Sequence, residues 1–215
     1  MFDSSAYLPP AGNLELIFSD DSLVVVNKPA GLLAVPGRGA DKQDCLATRL
    51  QATFPDALVV HRLDMATSGL MVFARGPEIH RRLSSAFRER TIEKRYEAVV
   101  RGKLDPESGE VSLPIAVDWP NRPLRKIDDV SGKPSLTRYR TLGFMGDSAR
   151  VELEPITGRT HQLRLHMAAI GHPILGDALY GEAASSPRLM LHAISLRFIH
   201  PLTGKQLNFN CESLF

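Results

Sequence analysis

The sequence predicts an α+β domain: a largely antiparallel, mixed sheet flanked by helices and loops around a central cleft. Three features predict it. Short apolar, strand-like runs recur along the chain, few stretches carry a helical period, and strands do not alternate regularly with helices. With 215 residues, 43% of them hydrophobic, one globular domain could bury a substantial core and still shape a cleft.

Taken in order, Leu14 to Phe18 and Leu23 to Asn27 read as short strands about a Ser19-Asp20-Asp21 turn, followed by a loop broken by Pro29, Gly31, Pro36, Gly37 and Gly39. Leu46, Leu50 and Phe54, spaced by four, predict a helix with Asp44 as its N-cap. Val59-Val60 and Leu70 to Ala74 are strand-like and flank a polar stretch containing Asp64. Pro77 suits a first helical position. Behind it Ile79, Leu83, Ala86 and Phe87 form an apolar stripe, with Arg81, Arg82 and Arg88 turned largely away. Thr91 to Arg101 alternates as a strand, placing Ile92, Lys94, Tyr96, Ala98 and Val100 on one face. Asp118 to Lys133, basic and bearing prolines, reads as a loop able to close on a ligand. Strands are expected over Ser135 to Leu142 and Arg150 to Glu154, and on either side of a Pro201 to Gly204 turn. Between them, Thr157-Gly158-Arg159 is a turn, Thr160 an N-cap, and a helix runs to Ile170 before Gly171 and Pro173 stop it. Leu163, His166, Met167 and Ile170 form its buried stripe, which turns Arg164 and Leu165 to other faces.

Asp64 is the residue that asks for a chemical explanation. A carboxylate between two apolar strands is ionised at neutral pH and needs a cation or several donors nearby. It is either a turn-fixing group paired with Arg62 or another arginine, or a reacting group. The run His61 to Phe73, "HRLDMATSGLMVF", resembles the signature of the pseudouridine synthases, specifically their RluA branch. "TIEKRYEAVVR" and "PITGRTHQLRLHMAAIGHPILGD" resemble that branch too and follow in the family's order. So do "DDSLVVVNKPAGLLAVPG", "DWPNRPLRK", "GKPSLTRYR" and "PRLMLHA", and the match extends from about Leu14 to the end.

The resemblance implies the pseudouridine synthase fold and an isomerase that converts uridine to pseudouridine in RNA without a cofactor or metal. By resemblance, Asp64 is the catalytic aspartate. Tyr96, which as a lone aromatic on a strand would read as core, is the second active-site residue, able to stack on uracil and close to the carbon that loses a proton. Arg164 is the arginine that pairs with the aspartate, and Leu165 lines the base pocket. Arg62 enters the space left by the flipped base, and His61 supports the loop. The implied partners are the anticodon stem-loop of tRNA and a hairpin of 23S rRNA. The alternatives are a single-target enzyme of the same branch and a non-catalytic RNA-binding or chaperone module. The helix bearing Arg81, Arg82 and Arg88 is then a candidate RNA-facing surface. Larger members of the branch carry an S4-type RNA-binding domain at the N-terminus. Here residues 1–12 are expected to form a short extension and 13–215 a single catalytic domain without an S4 domain.

Composition narrows the classes. No apolar run approaches the ~20 residues of a membrane span, and Met1 to Gly12 lacks the pattern of a signal peptide, so a cytoplasmic monomer with no membrane partner is expected. Cys45 and Cys211 are isolated and are expected to be reduced. A metal hydrolase built on His161, His166, His172 or Cys211 is disfavoured, because His161 and His166 are five apart with no acidic residue between them. The net charge is only +2, but Arg75 to Arg101 and Trp119 to Arg140 each carry +4, as a phosphate-tracking face needs.

Overall fold

The computed structural model describes residues 7–215; the first half of the expected N-terminal extension lies outside the described residues. In chain order the elements are β1 (Glu15–Ser19), β2 (Leu23–Lys28), α1 (Leu46–Gln51), β3 (Ala57–Val59), β4 (Ser68–Arg75), α2 (Pro77–Glu89), β5 (Glu93–Arg101), β6 (Ser108–Ser112), β7 (Ile115–Val117), β8 (Arg125–Ile127), β9 (Leu136–Met145), β10 (Ser148–Pro155), α3 (Gln162–Ala169), β11 (Leu191–Ile199) and β12 (Gln206–Asn210). The strand-rich α+β class is as the sequence predicts. The chain divides into two compact units: one holds the residues up to Ile92 with Arg197–Cys211, the other Glu93–Leu196 with Glu212–Phe215.

In the first unit β2 pairs antiparallel with both β1 and β4, and β3 pairs antiparallel with the end of β4. Seven of the eight residues of β4 are buried, which is why its sequence is a continuous apolar run and not an alternation. Ile79 and Leu83 of α2 are buried, each contributing roughly 1.5–3 kcal/mol, while Arg81, Arg82 and Arg88 face water as expected. Phe209 of β12 packs on Phe18 and Phe198, with ring centroids 5.3 and 6.0 Å apart. Pro77 begins α2, and Arg90 ends it in the left-handed conformation at φ 61°, its N–H donating to the carbonyls of Ala86 and Phe87.

In the second unit β5, β10, β9 and β6 form an antiparallel run in that order. β10 buries alternate residues, Ala149, Val151 and Leu153, the period-two pattern of a sheet covered on one face. α3 lies against β8, β9 and β10.

Local expectations are corrected at three places, and one strand was not foreseen. Asp118 to Lys133 is not simply a loop: it contains β8, which pairs antiparallel with β7 just before the segment, and the charged residues of β8 had concealed a strand. β6, rich in Ser and Gly, carried no strand signal for the same lack of apolar residues. Cys45, not Asp44, caps α1: its Sγ accepts from the Thr48 N–H while the Thr48 hydroxyl accepts from the Cys45 N–H. Asp44 instead takes both arms of Arg49 at 2.6 and 2.7 Å. α3 is capped by His161 in the left-handed conformation (φ 59°), not by Thr160, and every residue from Gln162 to Met167 is buried where a single stripe was expected.

Candidate active site

The loop between β3 and β4 carries His61, Arg62 and Asp64, and its burial pattern decides which of them can meet a ligand. Leu63 and Thr67 point inward, at 5% and 2% exposure, while Arg62 is exposed and Asp64 half-buried. The main chain is pinned on both sides of Asp64. Its own carbonyl accepts the Thr67 N–H at 3.1 Å, closing a tight turn, and the Met65 carbonyl accepts the Gly31 N–H at 2.8 Å. Gly69, at φ 112°, supplies the backbone conformation that lets β4 start directly after this turn.

Beneath the loop lies Lys28, fully buried at the end of β2. Its ammonium donates to the carbonyls of Pro29 and Leu32 at 2.8 Å each and to that of Met65 at 3.1 Å. A buried ammonium is tolerated only where its donors are taken up, and these acceptors tie the Pro29–Leu32 loop to the Asp64 loop. Lys28 was missed as a site residue; its signal was a lysine closing the otherwise apolar run Leu23 to Val26. His61 packs within the same unit. Its Nε2 accepts the Val72 N–H at 3.0 Å, which puts the proton of the neutral ring on Nδ1, and the ring stacks on Phe87 at 4.4 Å.

In the second unit, Tyr96 is half-buried on β5, opposite Leu153 of β10. Arg164 and Leu165 are successive residues of α3, 4% and 8% exposed. Arg164 donates from Nε and Nη2 to the two oxygens of Asp177 at 2.7 and 2.6 Å. Asp177 is fully buried and also accepts the N–H groups of Leu179 and Tyr180, at 2.9 and 3.1 Å. Burial pushes its carboxyl up, but Arg164 and the two amides outweigh that and hold it below the usual carboxylate range. The Tyr180 ring lies 5.4 Å from the Arg164 guanidinium carbon, and its hydroxyl meets Nδ1 of His161 at 2.8 Å. Asp177 and Tyr180 were not singled out from the sequence. The visible hint was an acid closing "ILGD", three residues after the apolar Ile174.

The other polar residues of α3, Gln162 and His166, are satisfied. The Gln162 carbonyl oxygen accepts from the Thr157 hydroxyl and the Arg159 N–H, and its amide donates to Leu136 and Thr137, which fixes the Thr157–Arg159 turn. His166, fully buried, bridges the Thr137 hydroxyl at 2.9 Å and the Leu113 carbonyl at 3.0 Å, and burial depresses its pKa. Among the described residues no group of three or more His, Cys, Asp or Glu is placed to hold a metal, and no helix is long and apolar enough to cross a membrane.

Fold and sequence both point to one family. The family model described as RNA pseudouridylate synthase matches residues 22–169. The dual-specificity RNA pseudouridine synthases RluA of Haemophilus influenzae and Escherichia coli K12 are 47% and 48% identical over 214 residues, covering 97% of this chain and 98% of each relative. Among solved structures, human RNA pseudouridylate synthase domain containing 1 superposes with a TM-score of 0.78 at 31% identity, covering 96% of this chain and 86% of that one. The chain belongs to the RNA pseudouridylate synthase family, in its RluA branch.

Proposed function

We propose that this protein isomerises uridine to pseudouridine in two kinds of RNA, the anticodon stem-loop of tRNA and a hairpin of 23S rRNA, in the cytoplasm and without metal or cofactor. The observation that carries this reading is Asp64: a half-exposed carboxylate in a turn whose neighbouring main chain is anchored by a buried lysine. The dual-specificity relatives, matched over nearly their whole length, support the choice of two substrates.

The reaction breaks the N1-glycosidic bond, rotates the uracil and joins C5 to the ribose. Asp64 starts it by attacking C6, attacking the anomeric carbon, or removing a sugar proton. Tyr96 stacks on the ring and assists loss of the C5 proton. Arg164, oriented by Asp177, offers a fixed positive charge to the anionic groups of the reaction, and Leu165 gives the uracil an apolar wall. A uridine within a folded loop is reached by extrusion, at an unstacking cost of about a few kcal/mol, and the exposed guanidinium of Arg62 fills the vacated stack.

The test is incubation of the protein with transcripts of anticodon stem-loops and of rRNA hairpins carrying C5-tritiated uridine. Tritium release from both supports the proposal. Release from one class alone means a single-target enzyme, and binding without release from either means a non-catalytic RNA module.

A further inference from the structure

Trp119 is the single tryptophan of the chain, and it stands 68% exposed at the tip of the β7–β8 hairpin. The guanidinium carbon of Arg122 lies 3.5 Å from the centre of its ring, covering one face of a side chain that is otherwise largely exposed. Buried aromatic rings strengthen a core; this one strengthens none. An exposed cation–π pair also contributes little to folding, so the arrangement is better explained by what it can hold.

The tip is stiff. Pro120 and Pro123 fix their own φ angles, the Asn121 amide donates to Asp118 at 3.0 Å, and the N–H groups of Leu124 and Asp118 close the turn onto the carbonyls of Asn121 and Leu124. At its base the Arg125 N–H donates to the Tyr180 hydroxyl at 2.8 Å, the same tyrosine that rests against Arg164 and meets His161. The ring is therefore held at a fixed place relative to α3. Charge at the tip is unspent. Lys126 is paired with Asp128, but Arg122 and Arg125 make no ion pair among the described residues.

A planar, exposed ring backed by a guanidinium, with a further arginine close by in the chain, is the chemistry that takes up one unpaired nucleobase and its phosphates. The neighbouring Asn121, Arg122 and Arg125 are polar or charged, whereas the core of a protein interface is depleted of charge. We propose that Trp119 and Arg122 form a stacking platform for an unpaired base of the RNA other than the uridine that reacts, with Arg122 and Arg125 meeting the flanking phosphates. This proposal rests on the RNA-modifying reading above and adds to it a second point of grip that favours loops over duplexes. Pre-ordering by the prolines and the Tyr180 contact keeps the entropy lost on binding small.

Because the tryptophan is unique, its emission reports on this residue alone. The whole protein is titrated with a stem-loop RNA and with a blunt duplex of equal length, while anisotropy of labelled RNA records binding separately. The expected result is quenching by the stem-loop and little by the duplex. Trp119→Ala should raise KM for the stem-loop roughly tenfold with kcat within about twofold, Trp119→Phe should restore most of the loss, and Arg122→Ala should weaken binding most at low salt. RNA that binds without quenching, or a KM unchanged in Trp119→Ala, overturns the platform. A blue shift on phosphatidylserine vesicles with no RNA quench overturns it in favour of a lipid surface. If the wild-type protein binds RNA with quenching yet releases no tritium, the platform stands and the isomerase reading is what fails.

Discussion

Asp64 stands half-exposed on a loop that carbonyl groups hold in place, whereas Arg164 is 4% exposed and anchored through its own side chain. On the loop, Lys28, Gly31 and Thr67 grip main-chain carbonyls, so the geometry of the turn is set around Asp64. On α3 the fixing contacts are made by the charged group itself. The difference teaches what each residue can lose. A change at Asp64 should leave the turn standing and remove chemistry, while a change in the Arg164–Asp177 pair should be felt first by the fold.

The largest stability effect is therefore expected at Asp177. Asp177→Ala removes the carboxylate that takes both Nε and Nη2 of buried Arg164 and should destabilise by about 3–5 kcal/mol, measured by urea unfolding. In the wild type the same carboxylate sets a pH dependence: its folded pKa is depressed, so its stabilisation is present above the unfolded value of 3.8 and is lost as pH falls through the folded one. Equal stability of Asp177→Ala and wild type would erase the contrast between the two regions.

His166 sharpens the same contrast at milder pH. Its folded pKa lies below the ordinary 6.5 because the ring is buried, so below that pH the unfolded chain takes up a proton that the folded chain refuses. Stability should be full above pH 6.5 and fall on acidification, by at most about 1.4 kcal/mol per pH unit from this group. His166→Gln, which keeps a donor and an acceptor, should flatten that part of the melting-temperature profile. The smallest effect belongs to the first unit. Arg90 ends α2 at φ 61°, a conformation glycine adopts without strain, and Arg90→Gly should raise stability by up to about 1 kcal/mol in a thermal melt.

Much of this architecture was legible in the sequence because it rests on local signals. Pro77 before the stripe of Ile79 and Leu83 gave α2, and the alternation through Tyr96 and Ala98 gave β5. The words around Asp64, Tyr96 and Arg164 gave the family. What stayed hidden depends on partners distant in the chain. Asp177 becomes notable only once α3 brings Arg164 to it, and Lys28 only once Met65, 37 residues on, lies above its ammonium. The β7–β8 hairpin was hidden for another reason: Arg125 and Lys126 look like loop residues until the backbone pairing places them on a strand. His161 took the cap position from Thr160 because contacts to Tyr180 offset the strain of its left-handed backbone.

The most direct measurement is turnover by Asp64→Asn on a C5-tritiated stem-loop, with unfolding and RNA affinity recorded on the same sample. The account expects stability within about 1 kcal/mol of the wild type, retained RNA binding, and tritium release lowered by about a thousandfold or more. Release within tenfold of the wild-type rate would contradict it.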